Sequence, residues 1–227
     1  MSHFLVTAPH CSSWIAPLPK TPELFSFDDF AARTSQGASP AEAWPEDAVA
    51  NMLARHPDLK LAAVLIPVIA REQCASVLFT RRADHLSTHA GQISFPGGKL
   101  EPGDASPIET ALREAEEEIG LDRRHVRALG FLDPHLTGTG FQIVPVLAAV
   151  YPQFTLTLDP SEVAETFEAP LDFLMTPTNY QEHRIEWRGQ LRVFQAVQFG
   201  GRFIWGATAA ILLSVYERLY RECRASS

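Results

Sequence analysis

The chain has 227 residues, of which nearly half are hydrophobic and a fifth are charged, as is typical of a folded globular protein. Its formal net charge of -8 argues against the broad basic surface that backbone-driven nucleic-acid binding requires. If such an acidic chain handles an anionic phosphate compound, the positive charge must come from a few local side chains or from a metal ion.

Three cysteines, Cys11, Cys74 and Cys223, lie far apart and form no CxxC pair, which predicts free thiols in a reducing compartment. The N-terminal residues show no secretory signal pattern. The longest apolar stretch, 61–70, contains Pro67 and is too short to cross a bilayer. We therefore expect a cytoplasmic protein without membrane or nucleic-acid partners, and a homodimer is one option for its assembly.

Residues 1–58 are predicted to form a helical arm ahead of the main domain. Amphipathic patterns lie at 25–31 and after Pro45. Neither pattern carries residues typical of a catalytic or metal site. The expected role of the arm is packing against the main domain or against a partner subunit.

The main domain, expected over 59–223, alternates apolar strands with helical segments. A polar piece at 161–167 predicts a short helix, Gly189 predicts the turn of a hairpin, and the residues after 205 predict a terminal amphipathic helix. The predicted strands are 61–70, 76–82, 126–132, 141–151, 183–189 and 190–201. Strands flanked by helices on both sides indicate an α/β protein, an α/β/α sandwich with a mixed β-sheet.

The clearest helix of the sequence is predicted at 107–119. Ser106 is a good N-cap residue, and Glu109, three positions later, completes a capping-box pattern. Pro107 suits the first helical position, and Gly120 supplies the left-handed residue that ends many helices.

Three glutamates of this helix, Glu114, Glu117 and Glu118, have the spacing that places side chains on one helical face. Because like charges at this spacing repel, the face is either a solvated acidic surface or a cation-binding site. The preceding segment, 96–104, is predicted to be a glycine-rich loop that can approach a ligand closely, which favours the cation site. Oxygen ligands without histidine or cysteine favour Mg²⁺ or Mn²⁺ over zinc.

Two sequence blocks carry a family resemblance. PGGKLEPGD followed by ALREAEEEIGL, residues 96–104 and 111–121, resembles the Nudix box, with Arg113 and the three glutamates at their motif positions. The loop glutamate of the box is out of register, because this chain has one residue more than the general pattern. Glu101 and Asp104 are both candidates for its place.

The upstream block LFTRRADHLSTHAGQISFPGG, residues 78–98, resembles the signature of the coenzyme A pyrophosphatase branch of Nudix hydrolases. The resemblance implies a metal-dependent diphosphate hydrolase that cleaves coenzyme A or its derivatives to 3′,5′-ADP and 4′-phosphopantetheine. One alternative is a Nudix hydrolase of a nucleotide sugar, a dinucleotide or an oxidised nucleotide. Another is a non-catalytic Nudix-fold binding module, against which the intact glutamate triplet argues.

The resemblance also implies roles for side chains around the box. The catalytic residues are expected to be Glu114, Glu117, Glu118, Arg113 and Glu162, and the first three of these are expected to bind Mg²⁺ or Mn²⁺. Substrate binding is expected from residues that precede the box helix in the chain, Arg82, Gln92, Gly97, Gly98 and Lys99.

Several of these roles have competing explanations. Arg113 either pairs within its helix, with Glu109 or Glu117, or orients the loop and a catalytic carboxylate. Only one of Arg81 and Arg82 can face the site, because strand side chains alternate, and the motif match favours Arg82.

His89 is expected to hydrogen-bond the backbone rather than to carry a proton. Gln92 either shapes the metal-binding loop or contacts the substrate. The general base is left open between a box glutamate, Glu162 and Glu165. Of the last two, Glu165 is the one expected only to cap or solvate its segment.

Overall fold

A computed structural model describes residues 24–41, 60–71, 74–187 and 189–221. The helix predicted after Pro45 and two of the cysteines, Cys11 and Cys223, lie outside these ranges. The helices are α1 (Phe27–Gly37), α2 (Pro107–Ile119), α3 (Leu171–Leu174) and α4 (Gly206–Leu219). The strands are β1 (Ser39–Pro40), β2 (Lys60–Ile69), β3 (Ser76–Arg82), β4 (Ile93–Ser94), β5 (Gly97–Lys99), β6 (Val126–Phe131), β7 (His135–Leu136), β8 (Phe141–Val150), β9 (Val163–Pro170), β10 (Tyr180–Trp187), β11 (Gln190–Phe199) and β12 (Arg202–Trp205).

A mixed sheet forms the centre of the molecule, as predicted. Strands β2 and β8 run parallel and pair along their whole length, from Lys60 opposite Phe141 to Ile69 opposite Val150. Antiparallel strands extend the sheet on both sides, with β6 and β7 next to β8 and with β3 and β5 next to β2. Strands β4 and β9 then pair with β3.

Both faces of this sheet are buried, which explains why its central strands are continuously apolar. On one face, Ala63 and Leu65 of β2 belong to the same hydrophobic cluster as Ala115 of α2. On the other face, Ile66 belongs to a second cluster together with Leu212 of α4. Helices therefore cover both sides of the sheet, which confirms the predicted α/β/α sandwich.

Helix α2 spans the residues that the sequence predicts. The side chain of Ser106 accepts a hydrogen bond from the Glu109 amide at 3.2 Å, and Gly120 ends the helix with a φ of 64°. The carboxylate of Glu109 pairs with Arg123 at 3.3 Å. The start and the end of the helix thus follow from local signals in the sequence.

The sequence predicts a helix at 161–167, and this prediction is wrong. The segment instead contributes to β9, which pairs antiparallel with β3 from Arg82 opposite Val163 to Ser76 opposite Pro170. Its polar and alanine residues favour a helix locally, but a strand some eighty residues earlier supplies hydrogen-bonding partners and buries Phe167.

The sequence also predicts a continuous loop at 96–104, whereas Gly97–Lys99 form strand β5 against residues 62–64 of β2. Glycine is required at the first position, because a Cβ atom on Gly97 would overlap the carbonyl oxygen of Ala63. Glycines disfavour strands in general, so the close approach of β2 decides this conformation.

The described part of the predicted arm belongs to the core of the domain. Phe30 of α1 is fully buried and lies in the same cluster as Leu219 of α4. The ring of Phe25 contacts the ring of Tyr220, with centroids 5.0 Å apart. Strand β1 adds a short pairing with β6.

The C-terminal part contains the predicted hairpin. Strands β10 and β11 pair antiparallel around Gly189, whose φ is 74°, and β12 joins them in a second, three-stranded sheet. Within the described ranges, none of the helices is both long enough and apolar enough to span a membrane.

Candidate active site

The three glutamates on one face of α2 differ in burial. Glu118 is 4% exposed, whereas the side chains of Glu114 and Glu117 are 16% and 61% exposed. Glu116 lies on another side of the helix and pairs with Arg123 at 3.3 Å. The face therefore runs from a buried carboxylate through a half-buried one to an exposed one.

Glu118 is held against strand β5, where its Oε2 atom accepts a hydrogen bond from the Gly97 amide at 3.1 Å. Burial raises the pKa of Glu118 to about 8, although the Gly97 bond opposes this shift. The charges of Glu114 and Glu162 raise the pKa of Glu118 further, and the charge of Arg82 lowers it. A buried carboxylate among other carboxylates holds its proton unless a cation joins it.

Glu114 packs against the next residue of the same strand. A Cβ atom on Gly98 would overlap the Glu114 carboxylate, so a larger residue there would displace that carboxylate. Burial raises the pKa of Glu114, partly offset by Arg113, and the charges of Glu117 and Glu162 add to the rise. The bare backbone of β5 thus contacts two carboxylates of α2 in successive positions.

Arg113 connects the helix to the loop and to its neighbours. Its guanidinium donates to both carboxylate oxygens of Asp104 at 3.0 Å and to the Lys99 carbonyl oxygen at 3.2 Å. The Nη1 atom also lies 3.0 Å from Glu117 and 3.1 Å from Glu114. Arg113 therefore makes the pairing within the helix and also fixes the loop, which were the two roles considered for it.

Of the two candidate loop carboxylates, Asp104 is the one that contacts Arg113. Its side chain is 7% exposed and also accepts bonds from the Thr110 hydroxyl at 2.8 Å and the Glu101 amide at 2.9 Å. Burial opposes ionisation, but these donors, led by Arg113, together lower the pKa of Asp104. Glu101 is exposed and contributes its backbone amide to this cluster.

The segment between β8 and β9 brings Glu162 to the carboxylate face. The Thr157 amide donates to the Ile119 carbonyl and the Asp159 amide donates to the Glu118 carbonyl, both at 2.9 Å. These bonds satisfy carbonyl groups at the end of α2. Glu162 follows directly, is exposed, and lies close enough to raise the pKa of both Glu114 and Glu118.

Arg81 and Arg82 lie on opposite sides of β3. Arg81 pairs with Asp84 at 2.5 Å and with Glu165 at 3.6 Å. Arg82 lies near enough to Glu118 to lower its pKa. Its buried Nε atom has no hydrogen-bond partner within the described part of the chain. Glu165 also pairs with Arg202 at 3.2 Å, so its carboxylate is bound by two arginines.

The signature loop after β3 is closed by its own side chains. His89 has a φ of 57°, and its Nδ1 atom lies 2.7 Å from the Oε1 atom of Gln92. The expected bond from His89 to the backbone is therefore replaced by a bond to a side chain. The Gln92 carbonyl accepts from the Arg82 amide at 3.0 Å, which ties the loop to the strand that carries Arg82.

The donor set of this face fits a hard divalent cation. Carboxylate oxygens predominate, and among the described residues the Gly97 amide is the only donor to the buried Glu118 carboxylate. In those same residues, no three acidic, histidine or cysteine side chains converge on one point. Arg113 instead holds Glu114 and Glu117, the two carboxylates that an ion would otherwise draw together.

A cleft of about 470 Å³ lies on the other face of the sheet, between the β6–β7 corner and α4. Leu132, His135 and Pro145 line one side, and Ile211 and Ser214 line the other. Burial lowers the pKa of His135. None of the predicted site residues lines this cleft, so the carboxylate face is a separate surface.

Comparisons with family models and with known proteins point to the same family. The family model of the NUDIX domain matches residues 59–188. NudL of Yersinia enterocolitica, an uncharacterised Nudix hydrolase, is 44% identical over 151 residues, 66% of this chain and 77% of NudL. NudL of Yersinia pestis is 42% identical over 151 residues, 66% of this chain and 75% of that relative. The crystal structure of DR0079 from Deinococcus radiodurans is 15% identical with a TM-score of 0.47, covering 71% of this chain and 83% of that one.

Proposed function

The chain belongs to the Nudix family, and from this premise we propose that it is a metal-dependent pyrophosphohydrolase of coenzyme A or its derivatives. The observation that carries the hydrolase proposal is the contact of the Glu114 and Glu118 carboxylates with the bare backbone of Gly97 and Gly98. The substrate proposal is supported by the resemblance of residues 78–98 to the coenzyme A pyrophosphatase signature.

Glu114, Glu117 and Glu118 would hold Mg²⁺ or Mn²⁺ in this proposal, since they are the oxygen donors on one face of α2. When bound, the ion would polarise phosphoryl oxygens and lower the pKa of a nearby water molecule. Arg113 holds Glu114 and Glu117 in register with the loop through its bonds to Asp104.

Arg82 would bind a phosphoryl oxygen of the substrate, because its Nε atom is free of protein partners within the described residues and its charge reaches Glu118. Glu162 would accept the proton of the attacking water, because it is exposed and close to the carboxylate face. The water oxygen bonds to one phosphorus, the bridging P–O bond breaks, and the second phosphate leaves with the bridging oxygen.

The test is an analysis of reaction products by chromatography after incubation with coenzyme A and Mn²⁺. We expect 3′,5′-ADP and 4′-phosphopantetheine in equal amounts, and no product from a Glu117→Gln variant prepared in the same way. Turnover of a nucleotide sugar, a dinucleotide or an oxidised nucleotide, but not of coenzyme A, would contradict the substrate while supporting the hydrolase. Nucleotide binding without turnover of any of these compounds would indicate a binding module instead.

A further inference from the structure

The chain contains three lysines, and two of them converge on one aromatic ring. The ammonium group of Lys60 lies 5.5 Å from the centroid of Phe141, and that of Lys99 lies 5.8 Å from the same centroid. The third, Lys20, lies outside the described residues. Both ammonium groups belong to exposed side chains, and neither pairs with a carboxylate in the described part of the chain. In a chain of net charge -8, the two lysines bring positive charge together at one place.

The strand register places this pair on the side of the sheet opposite α2. Gly98 pairs with Ala63, and both face the helix, so Lys99 and its partner Ala62 face the other side. Lys60 and Phe141 pair directly and share that side. The two lysines and the ring, here called the lysine pair, are therefore separated from the box glutamates by the backbone of β5.

Lys99 lies close, along β5, to the glycines that contact the glutamate carboxylates. Lys99 follows Gly97 by two residues, about 7 Å along an extended chain. Gly97 and Gly98 carry no side chains, so neither residue adds bulk to β5 between the lysine pair and the carboxylates. A ligand whose diphosphate lies at Glu114 and Glu118 can therefore place a second anionic group at the lysine pair by crossing the edge of β5.

We propose that the lysine pair binds a phosphate monoester of the substrate, separate from the diphosphate that is cleaved. This inference rests on the proposed function, in which coenzyme A carries such a group on its ribose. A phosphate monoester has close to two negative charges at neutral pH, which matches two ammonium groups. Phe141 holds both ammonium groups at one place through cation–π contacts.

The first test measures equilibrium binding to the full chain without metal and without turnover. The probes are 3′,5′-ADP and 5′-AMP, which differ only in the second phosphate. We expect 3′,5′-ADP to bind about ten-fold more tightly to the wild type, since one charge-assisted contact contributes about that factor. Lys60→Met should remove most of this preference. Arg127→Met, which removes an exposed cation from β6, should leave it intact.

Equal affinities of the wild type for the two nucleotides would overturn the proposal. The same conclusion would follow if Lys60→Met and Arg127→Met weakened both nucleotides by the same factor, because that result indicates a general effect of charge. Both exchanged side chains are exposed, so thermal denaturation is expected to show folded variants with unchanged midpoints.

The second test compares coenzyme A with 3′-dephospho-coenzyme A as substrates in the presence of Mn²⁺. We expect the ratio of their kcat/KM values to fall about ten-fold in Lys60→Met and in Lys99→Met, but not in Arg127→Met. Turnover of both compounds with equal kcat/KM by the wild type would refute the lysine pair while leaving the proposed hydrolase standing. Turnover of neither compound would contradict the proposed substrate, and the binding comparison would then decide the phosphate site by itself.

Discussion

The Oε2 atom of Glu118 accepts a hydrogen bond from the Gly97 amide at 3.1 Å, across 21 residues of chain. This bond joins the box helix to strand β5, which lies against β2 because Gly97 has no side chain. It holds a buried carboxylate at the point where the helix meets the sheet.

Stability without metal should fall as pH rises, because Glu118 is harder to ionise in the folded chain. Its pKa is raised to about 8, whereas a glutamate in an unfolded chain has a pKa near 4.3. At a pH between these two pKa values, the folded state binds more protons than the unfolded state. The free energy of unfolding therefore decreases as the pH rises. Thermal denaturation from pH 5 to 9 with a chelator should show this decrease.

Glu118→Gln should flatten that dependence and raise the thermal midpoint above the wild type at pH 9 by several degrees. Glu116→Gln, an exchange of the same kind at an exposed position of the same helix, should keep the wild-type slope. Parallel pH curves for the wild type and Glu118→Gln would refute the assignment.

Gly98→Ala should remove activity because its new Cβ atom would displace the Glu114 carboxylate. We expect kcat/KM to fall at least about 100-fold, since a displacement near 1 Å of a catalytic group can have that effect. Gly103→Ala is the matched control, because a Cβ atom there meets nothing within 4 Å. Similar activities of the two alanine variants would show that Glu114 does not need its position against β5.

Glu117→Gln should lose at least about 100-fold in kcat while its thermal midpoint without metal changes by less than about 3 °C. The carboxylate is 61% exposed, and its ion pair with Arg113 contributes little to stability at such a surface. Glu116→Gln should keep wild-type activity. Full turnover by Glu117→Gln in the presence of Mn²⁺ would show that Glu117 is not a metal ligand.

Glu162→Gln should lower kcat by about 10² to 10⁴, the usual contribution of a general base, with little change in KM. Glu165→Gln removes a carboxylate of the same segment that pairs with Arg81 and Arg202 instead. Its kcat should stay within a few-fold of the wild type. Equal kcat values for Glu162→Gln and Glu165→Gln would assign the base to another group.

Asp104→Asn should destabilise the fold by about 2 kcal/mol, because it removes the charge that pairs with Arg113 in a mostly buried place. For a chain of this size, the thermal midpoint should fall by about 4 to 8 °C. Glu101 is the other candidate for the loop carboxylate and is exposed. Glu101→Gln should therefore change the free energy of unfolding by less than about 0.5 kcal/mol. Equal midpoints for the two variants would contradict the assignment of the loop carboxylate to Asp104.

The helix signals around α2 could be predicted from the sequence because they act over a few residues. Ser106, Pro107 and Gly120 define the ends of the helix through bonds and backbone angles that involve their near neighbours. The shared face of the three glutamates follows from the same local geometry. Strands β2 and β3 could also be predicted from the sequence, because strands that are buried on both faces have a continuous apolar pattern.

The two wrong element predictions have a common cause. Residues 161–167 and Gly97–Lys99 have weak or misleading local preferences, and each becomes a strand through pairing with a distant one. Glu162 owes its position near the carboxylates to that pairing and to the bonds from Thr157 and Asp159 to the end of α2. A single sequence contains no short-range signal for these contacts.

The sequence by itself determined that a helix at 107–119 carries three glutamates on one face, since helical periodicity and caps are local properties of the chain. Tertiary structure decided that Glu118 is buried and that Asp104, rather than Glu101, holds Arg113. These differences arise from burial and from partners brought together by sheet pairing, and such contacts exist only after the chain has folded.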